Sequence, residues 1–161
     1  MAQPTYKQIV DDLELSPHPE GGYYKEIYRS DHRVQRDEGA ARSAGTGIYF
    51  LLPDQLCTNW HRVASDELWH FYRGDKLVLE IIDANGDFKQ LLLADEIETD
   101  GSYQALVPRN CWQRAYSTGL YSLVGCTVSP GFEFDDFEMI EPEVLAERHP
   151  DIAEEITGDP F

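Results

Sequence analysis

A histidine and a glutamate six residues apart are the pair in this chain best suited to joint chemistry. Glu67 follows His61 by six positions, and Gly74 follows Glu67 by seven. The short stretch between His61 and Glu67 is typical of a tight turn between two strands, so we expect a hairpin that directs both side chains into one cavity. An imidazole and a carboxylate placed together can hold a metal ion, move a proton or anchor a polar ligand.

Strand alternation predicts which neighbours share that cavity. Successive side chains of a β-strand point to opposite faces, so Glu67, Trp69 and Phe71 should lie on one face. We therefore expect an aromatic wall beside Glu67, with His70 facing the other way. A cavity that is mostly apolar with a few convergent polar groups is typical of a small-molecule site.

The composition excludes several classes of protein. The chain has 161 residues, with 30 acidic and 13 basic side chains and a formal net charge of −17. Nucleic acid and anionic membrane surfaces would repel such a chain, so we expect neither as a partner. The sequence shows no apolar run long enough for a membrane-spanning helix, no signal peptide, and only three widely spaced cysteines. These features predict a cytoplasmic protein with reduced thiols.

Short strands and turns alternate through most of the chain and predict an all-β fold. The sequence Asp-Ala-Asn-Gly at 83–86 is a strong hairpin signal between two of these strands. A short helix is expected after Thr5, which is a suitable N-cap residue. Two short acidic helices are expected near the C-terminus, over 142–148 and 151–156.

The strand pattern also predicts the architecture. Many short strands without a linker or repeat favour one domain over residues 1–161, built as a single antiparallel jelly-roll β-barrel. The barrel core is expected at about 20–135 and the acidic helical tail at about 140–161. The aromatic strand at 23–29 would form an exposed sheet edge, so we expect a homodimer that covers it.

Two spacings resemble the motifs of the cupin superfamily. The order of His61, Glu67 and Gly74 is similar to the first cupin motif, and the segment from Gly101 to Gln113 is similar to a degraded second motif. Three longer segments resemble a cupin subfamily of unassigned activity: HPEGGYY at 18–24, DELWHFY at 66–72 and LVGCTVSPGF at 123–132. The resemblance covers about residues 5–140 and implies the cupin fold, but it leaves the function open.

The resemblance also bears on metal binding. His61 and Glu67 match two ligands of the metal-binding cupins, but Val63 stands where a second histidine is expected and Gln113 where the last one is expected. Two strong ligands fall short of the three or four that a transition metal usually takes from a protein. We therefore expect no cofactor and no tightly bound metal, and a weakly bound ion would contact His61 and Glu67.

Three classes of function remain open. The first is a binding protein for a small polar molecule, with carbohydrates among the candidates. The second, which the resemblance to metal-independent cupins implies, is an epimerase or isomerase of the sugar-nucleotide type, in which His61 is the general base and Glu67 orients it. The third is a structural or storage-type cupin. The candidate catalytic residues are His61 and Glu67, and the candidate ligand-binding residues are Trp69, Phe71, Gln113, Tyr49 and Glu20.

Overall fold

The computed structural model describes residues 2–96 and 100–161, and strands dominate it. Within these residues there are three α-helices, α1 (Tyr6–Asp12), α2 (Pro142–Arg148) and α3 (Ala153–Thr157). The strands are β1 (Ser16–Pro17), β2 (Tyr23–Arg29), β3 (Arg33–Val34), β4 (Arg42–Ser43), β5 (Thr46–Pro53), β6 (His61–Val63), β7 (Asp66–Gly74), β8 (Leu77–Ile82), β9 (Phe88–Leu93), β10 (Gln104–Val107), β11 (Trp112–Ser117), β12 (Tyr121–Ser129) and β13 (Phe137–Met139).

The strands form two large sheets and one small one. Six strands pair in the order β1-β2-β5-β12-β7-β10, five pair in the order β13-β6-β11-β8-β9, and β3 pairs with β4. Neighbouring strands in these sheets run antiparallel, as predicted. In the described part of the chain the pairings leave separate sheets and do not join them into one continuous barrel. The fold is therefore mostly β, and its strands form two facing sheets where a single jelly-roll β-barrel was predicted.

The main core lies between the two large sheets. Phe50 and Trp69 of the six-stranded sheet belong to the same buried cluster as Leu79 and Ala115 of the five-stranded sheet. Alternation explains this arrangement, because one side of each strand supplies apolar residues to the space between the sheets. Any site between the sheets therefore lies next to this buried cluster.

The first helix covers the outer face of the six-stranded sheet. Thr5 caps α1 as predicted: its side chain accepts a hydrogen bond from the backbone N–H of Gln8, and the Gln8 side chain accepts one from the Thr5 N–H. Ile9 then packs in a second buried cluster with Leu51 and Tyr121. The helix thus shields the side of the sheet that faces away from the main core.

The two C-terminal helices lie against the outer face of the five-stranded sheet. Leu145 and Ile156 pack in a third buried cluster with Trp60 and Trp112. Of these two, α2 has the predicted bounds. Helix α3 begins at Ala153, two residues later than predicted, because the preceding turn is a 3-10 helix, Pro150–Ile152. The predicted number of helices, three, is confirmed.

The hairpin predicted at 83–86 is present. The Asp83 carboxylate accepts hydrogen bonds from the backbone N–H groups of Asn85 and Asp87, and Gly86 adopts a φ of 81°. Positive φ at this position favours glycine, because glycine has no Cβ to clash with the backbone. The turn joins β8 to β9 in the five-stranded sheet.

The prediction of a hairpin between His61 and Glu67 is wrong, and the connection that is present instead determines how the site is arranged. β6 belongs to the five-stranded sheet and β7 to the six-stranded sheet, so the link at 64–65 crosses from one sheet to the other. His61 and Glu67 therefore face each other across the interior instead of standing side by side on paired strands. Local spacing alone does not distinguish a hairpin from such a crossing.

Candidate functional site

A cavity of about 160 Å³ lies between the two large sheets, next to β6 and β7. Apolar side chains such as Ile48, Val63 and Val128 form much of its wall. Its ionisable side chains include four carboxylates, one guanidinium and two imidazoles, which belong to Glu20, Glu26, Glu67, Glu133, Arg29, His18 and His61. A concave, largely apolar wall with a few convergent polar groups is the usual form of a small-molecule site.

A buried ionic contact joins His61 to Glu20. His61 Nε2 lies 2.5 Å from Glu20 Oε2, and both residues are buried, with 2% and 6% of their surfaces exposed. Burial alone would lower the pKa of His61, but the charge of Glu20 and its hydrogen bond to the ring raise it above the usual value of 6.5. The pair therefore favours an imidazolium facing a carboxylate.

Both ring nitrogens of His61 have partners. The backbone oxygen of Asn59 lies 2.7 Å from His61 Nδ1, and a carbonyl oxygen can only accept a hydrogen bond, so Nδ1 carries a proton. The exchangeable proton of this residue is thus the one between Nε2 and Glu20. His61 can pass a proton to Glu20, but it has no free nitrogen with which to take one from a ligand.

A glycine-rich turn places Glu20 in this position. Gly21 and Gly22 have φ angles of 106° and 80°, and a Cβ atom at Gly22 would lie 2.8 Å from the backbone oxygen of Leu51. The turn is tied to β6 because the Asn59 N–H donates to the Glu20 carbonyl at 2.8 Å. The two glycines therefore let the chain turn tightly against β5 and hold the buried Glu20 carboxylate in place.

His18 braces the same turn. Its Nδ1 accepts a hydrogen bond of 3.1 Å from the Glu20 N–H, and the ring stacks edge-on against Tyr24 with centroids 4.6 Å apart. Burial lowers the pKa of His18, against the raising effect of Glu20, so the neutral ring is favoured. His18 thus contributes a neutral imidazole to the cavity wall, whereas His61 contributes a charged one.

Glu67 faces the cavity from β7, and buried hydrogen bonds fix its side chain. Trp69 Nε1 donates to Gln113 Oε1 at 3.0 Å, and Gln113 Nε2 donates to Glu67 Oε1 at 2.7 Å. This chain of donors fixes the amide of Gln113, so that its N–H groups point toward the carboxyl. Burial, followed by the charge of Glu20, raises the pKa of Glu67 to about 7, although His61, Gln113 and Cys126 act in the opposite direction.

The cavity therefore holds an ionisable group that is close to its midpoint at neutral pH. Glu67 is 8% exposed and lies on the cavity wall, where a ligand can reach it. The Cys126 thiol, also on this wall, has its pKa raised well above its usual value by burial and by the charge of Glu67. Cys126 consequently stays a neutral thiol and a weak donor, not a nucleophile.

Several predicted site residues lie elsewhere. Trp69, Phe71 and Gln113 are buried and are not among the residues that line the cavity. Gln113 reaches the lining residue Glu67 through a hydrogen bond, and Trp69 in turn is bonded to Gln113. Tyr49 lies on the opposite face of β5, where its ring contacts Tyr72 at a centroid distance of 6.1 Å. Alternation along β5 directs Ile48, not Tyr49, into the cavity.

The cavity does bring together His61, Glu67 and Glu20, but with different partners from those expected. His61 binds Glu20, which the sequence placed among the ligand-binding candidates, and Glu67 binds Gln113. The wall also includes Phe132, Phe134 and Phe137. Phe132 ends the LVGCTVSPGF segment, whereas Phe134 and Phe137 carried no sequence signal. Phe137 opens the short strand β13, whose pairing with β6 was not predicted.

The donor set does not fit a transition metal of the cupin type. Val63 lines the cavity at one expected ligand position, and the Gln113 amide is bonded to Trp69 and Glu67 at another. His61 Nε2, which would have to bind the metal, faces Glu20. Across residues 2–96 and 100–161, no three histidine, cysteine or acidic side chains are grouped as metal ligands would be.

The model of a protein family described as Cupin superfamily (DUF985) matches residues 7–140 of the chain. The chain belongs to this family. The cupin resemblance of the His61–Glu67 region is thereby confirmed. The uncharacterized protein YML079W of Saccharomyces cerevisiae is 24% identical over 157 residues, which cover 86% of this chain and 77% of the yeast protein.

Solved structures agree with the family. A hypothetical protein from Leishmania major is 34% identical, with a TM-score of 0.91 over 98% of this chain and 99% of its own. Protein SO0799 from Shewanella oneidensis is 32% identical, with a TM-score of 0.88 over 99% of both chains. A dTDP sugar isomerase from Desulfovibrio desulfuricans, at 14% identity and a TM-score of 0.54 over 74% of this chain and 82% of its own, shares the fold alone. None of the described helices has the length and apolar character needed to cross a bilayer.

Proposed function

We propose that this cupin binds a small polar molecule, without a metal, in the cavity between the sheets of a jelly-roll sandwich. The observation that carries the proposal is the group of three buried ionisable side chains, Glu20, His61 and Glu67, on the wall of an otherwise largely apolar cavity. Burying a carboxylate is unfavourable unless the carboxylate is paired with a positive charge or binds a ligand. Glu20 is paired with His61, whereas the hydrogen bonds to Glu67 come from the neutral side chains of Gln113 and Cys126. This arrangement supports a role for Glu67 in holding a ligand.

The size of the cavity limits the ligand. A volume of about 160 Å³ lies below the range of roughly 300–1,000 Å³ that holds drug-sized ligands. In the described residues, Arg29 is the only lysine or arginine on the wall, and Glu26 and Glu133 already share its guanidinium. A sugar nucleotide would bring a diphosphate for which this wall has no free cation. These features favour a compact ligand without phosphate.

A second candidate is an enzyme that catalyses proton transfer. The observation that favours it is Glu67, whose pKa of about 7 suits a group that donates and accepts a proton near neutral pH. Both ring nitrogens of His61 have hydrogen-bond partners, so Glu67 would exchange the proton with the substrate. The Glu20–His61 pair would hold a second proton. The distant dTDP sugar isomerase supports this candidate only through the shared fold. A storage-type cupin would need none of these groups.

A thermal-shift screen of small neutral, cationic and anionic compounds tests the binding proposal. A ligand present at 100 times its Kd stabilises the folded state by about 2.7 kcal/mol, which corresponds to a Tm shift of roughly 5–10 °C for a chain of this size. We expect Glu67→Gln to reduce the shift and Glu14→Gln, on the exposed surface, to leave it unchanged.

The same variants separate the three classes of function. If a hit is also converted to product, and Glu67→Gln stops conversion while it still binds, the enzyme replaces the binding protein as the better description. If no compound of any charge produces a shift that depends on Glu67, the binding proposal is wrong and the storage-type alternative gains support.

A further inference from the structure

Three phenylalanine rings form one corner of the cavity wall. The ring centroids of Phe132 and Phe134 are 4.9 Å apart, and each lies 6.0 Å from the centroid of Phe137. The three rings are nearly perpendicular to one another, at 83°, 68° and 76°. All three line the cavity, although they belong neither to an α-helix nor to a long strand and have no part in the main core.

The segment that carries these rings is anchored by ion pairs. Arg29 donates to the backbone oxygen of Phe132 at 2.9 Å and to the Glu133 carboxylate at 3.0 Å, while Arg42 makes a two-pronged pair with Asp136 at 2.8 and 3.0 Å. Bidentate pairs of this kind fix geometry as well as add energy. The corner of rings is thus held in place before any ligand enters, which lowers the entropy lost on binding.

The charges on the wall are predominantly negative. Arg29 is shared between Glu26 and Glu133, which leaves this group with one excess negative charge at the opening of the cavity. Deeper inside, the Glu20–His61 pair is neutral overall when both members are ionised. Glu67 has no cationic partner of its own, because its hydrogen bonds come from the neutral side chains of Gln113 and Cys126.

We propose that the ligand of this cavity is a small organic cation, an amine or a quaternary ammonium compound. The inference rests on the proposed binding function and names its ligand class. A cation is attracted by the negative face of an aromatic ring, and a corner of perpendicular rings offers more than one such face to the same charge. Glu67 supplies the anionic counter-charge from β7, and the excess negative charge at the opening favours entry of a cation.

The alternatives fit the same wall less well. An anion would meet four carboxylates and no free guanidinium or ammonium group on the described wall. A neutral polyol could bond to Glu20 and Glu67 and pack its C–H groups on the rings, but it would bring no positive charge to the ring faces or to the Glu67 carboxylate. A cation gains electrostatic attraction from both the rings and the carboxylate.

Matched pairs of probes isolate the charge. Choline is compared with its uncharged isostere, in which a tert-butyl group replaces the trimethylammonium group, and butylamine with butyl alcohol and butyrate. Titrations are followed by calorimetry at about 0.15 M salt, where long-range attraction to the acidic surface is screened. We expect at least one cation to bind about tenfold or more tightly than its neutral partner.

Phe134→Leu tests the rings, and Phe161→Leu is its matched control. Both phenylalanines are about half exposed, at 49% and 48%, so both variants should fold, but Phe161 packs on Tyr116 and does not line the cavity. Leucine keeps an apolar side chain and removes the aromatic face. We expect Phe134→Leu to weaken the cation by about threefold to tenfold and its neutral isostere by less than about twofold. Phe161→Leu should change neither.

The outcomes distinguish the two proposals. If a neutral compound or butyrate binds in the cavity as tightly as the cations, the cation inference is overturned and the binding function stands. If cation binding survives Phe134→Leu unchanged, the rings do not hold the cation and the inference is also overturned; the binding function then depends on whether other compounds give shifts that require Glu67. If the cations do not bind while other compounds give shifts that depend on Glu67, the cation inference alone fails. If nothing binds, both are wrong.

Discussion

Replacing Glu67 by glutamine should stabilise the protein above neutral pH. Burial and the charge of Glu20 raise the pKa of this carboxyl from 4.5 to about 7 in the folded state. Between these two values the folded chain holds a proton that the unfolded chain has lost, so the free energy of unfolding falls as the pH rises. Glutamine cannot ionise, and its oxygen can still accept the hydrogen bond from Gln113.

The expected size follows from the same pKa values. Each pKa unit is worth about 1.4 kcal/mol, so a rise from 4.5 to about 7 means that ionising Glu67 costs the folded state about 3 kcal/mol once the pH is well above 7. We expect Glu67→Gln to match the wild type within about 1 kcal/mol near pH 5 and to be more stable by about 2–3 kcal/mol near pH 8. The slope of the difference against pH is more informative than either value alone.

Urea unfolding of both proteins at a series of pH values measures this difference. Glu14→Gln is the control, because the Glu14 side chain is 80% exposed in its pair with Lys25 and should change stability by less than about 0.5 kcal/mol at any pH. A Glu67→Gln variant that is destabilised by the same amount at every pH would show that Glu67 is a structural hydrogen-bond partner with an ordinary pKa.

Three further predictions follow from other contacts. His61→Ala should destabilise the protein by about 3–5 kcal/mol, because it leaves Glu20 buried without a partner. A double-mutant cycle with Glu20→Gln, measured by urea unfolding, should give a coupling energy above about 1 kcal/mol. The stabilisation that comes from the raised pKa of His61 should be full below pH 6.5 and disappear as the pH rises through the folded value, which NMR titration of the ring can follow. Ile27→Lys should convert the expected dimer to a monomer in light scattering, because Ile27 is 55% exposed on a part of β2 that pairs with no strand on its outer side in the described residues.

Much of the fold could be predicted because its signals are local. The cap at Thr5, the turn at 83–86 and the start of the helix at Pro142 each depend on a few adjacent residues. The alternation that buries Glu67 and Trp69 on the same side of β7 is local as well. Such features depend little on the rest of the chain, so a single sequence is sufficient to recognise them.

The partners in the site could not be predicted because they come from distant parts of the chain. The sequence suggested His61 with Glu67 because they are close along the chain, yet Glu20 is the acid that binds His61. This choice depends on β6 and β7 belonging to different sheets, which spacing does not reveal. The corner of rings could not be predicted either, because Phe137 reaches the cavity only through the pairing of β13 with β6.

The instability predicted for ionised Glu67 and the cation proposed for the cavity lead to one further expectation. A cation beside Glu67 favours its ionised form, so binding should release a proton and the affinity should rise with pH through about 7. The groups that face Glu67 are Glu20, His61, Gln113 and Cys126. Because Glu20 and His61 form an ion pair with each other, Glu67 should account for most of the proton release. Calorimetry of choline or butylamine in buffers of different ionisation enthalpy measures the protons released. We expect the release to disappear in Glu67→Gln, together with most of the pH dependence of the affinity. An affinity for these cations that is the same at about pH 6 and about pH 8 in the wild type would mean that the bound charge does not sense Glu67.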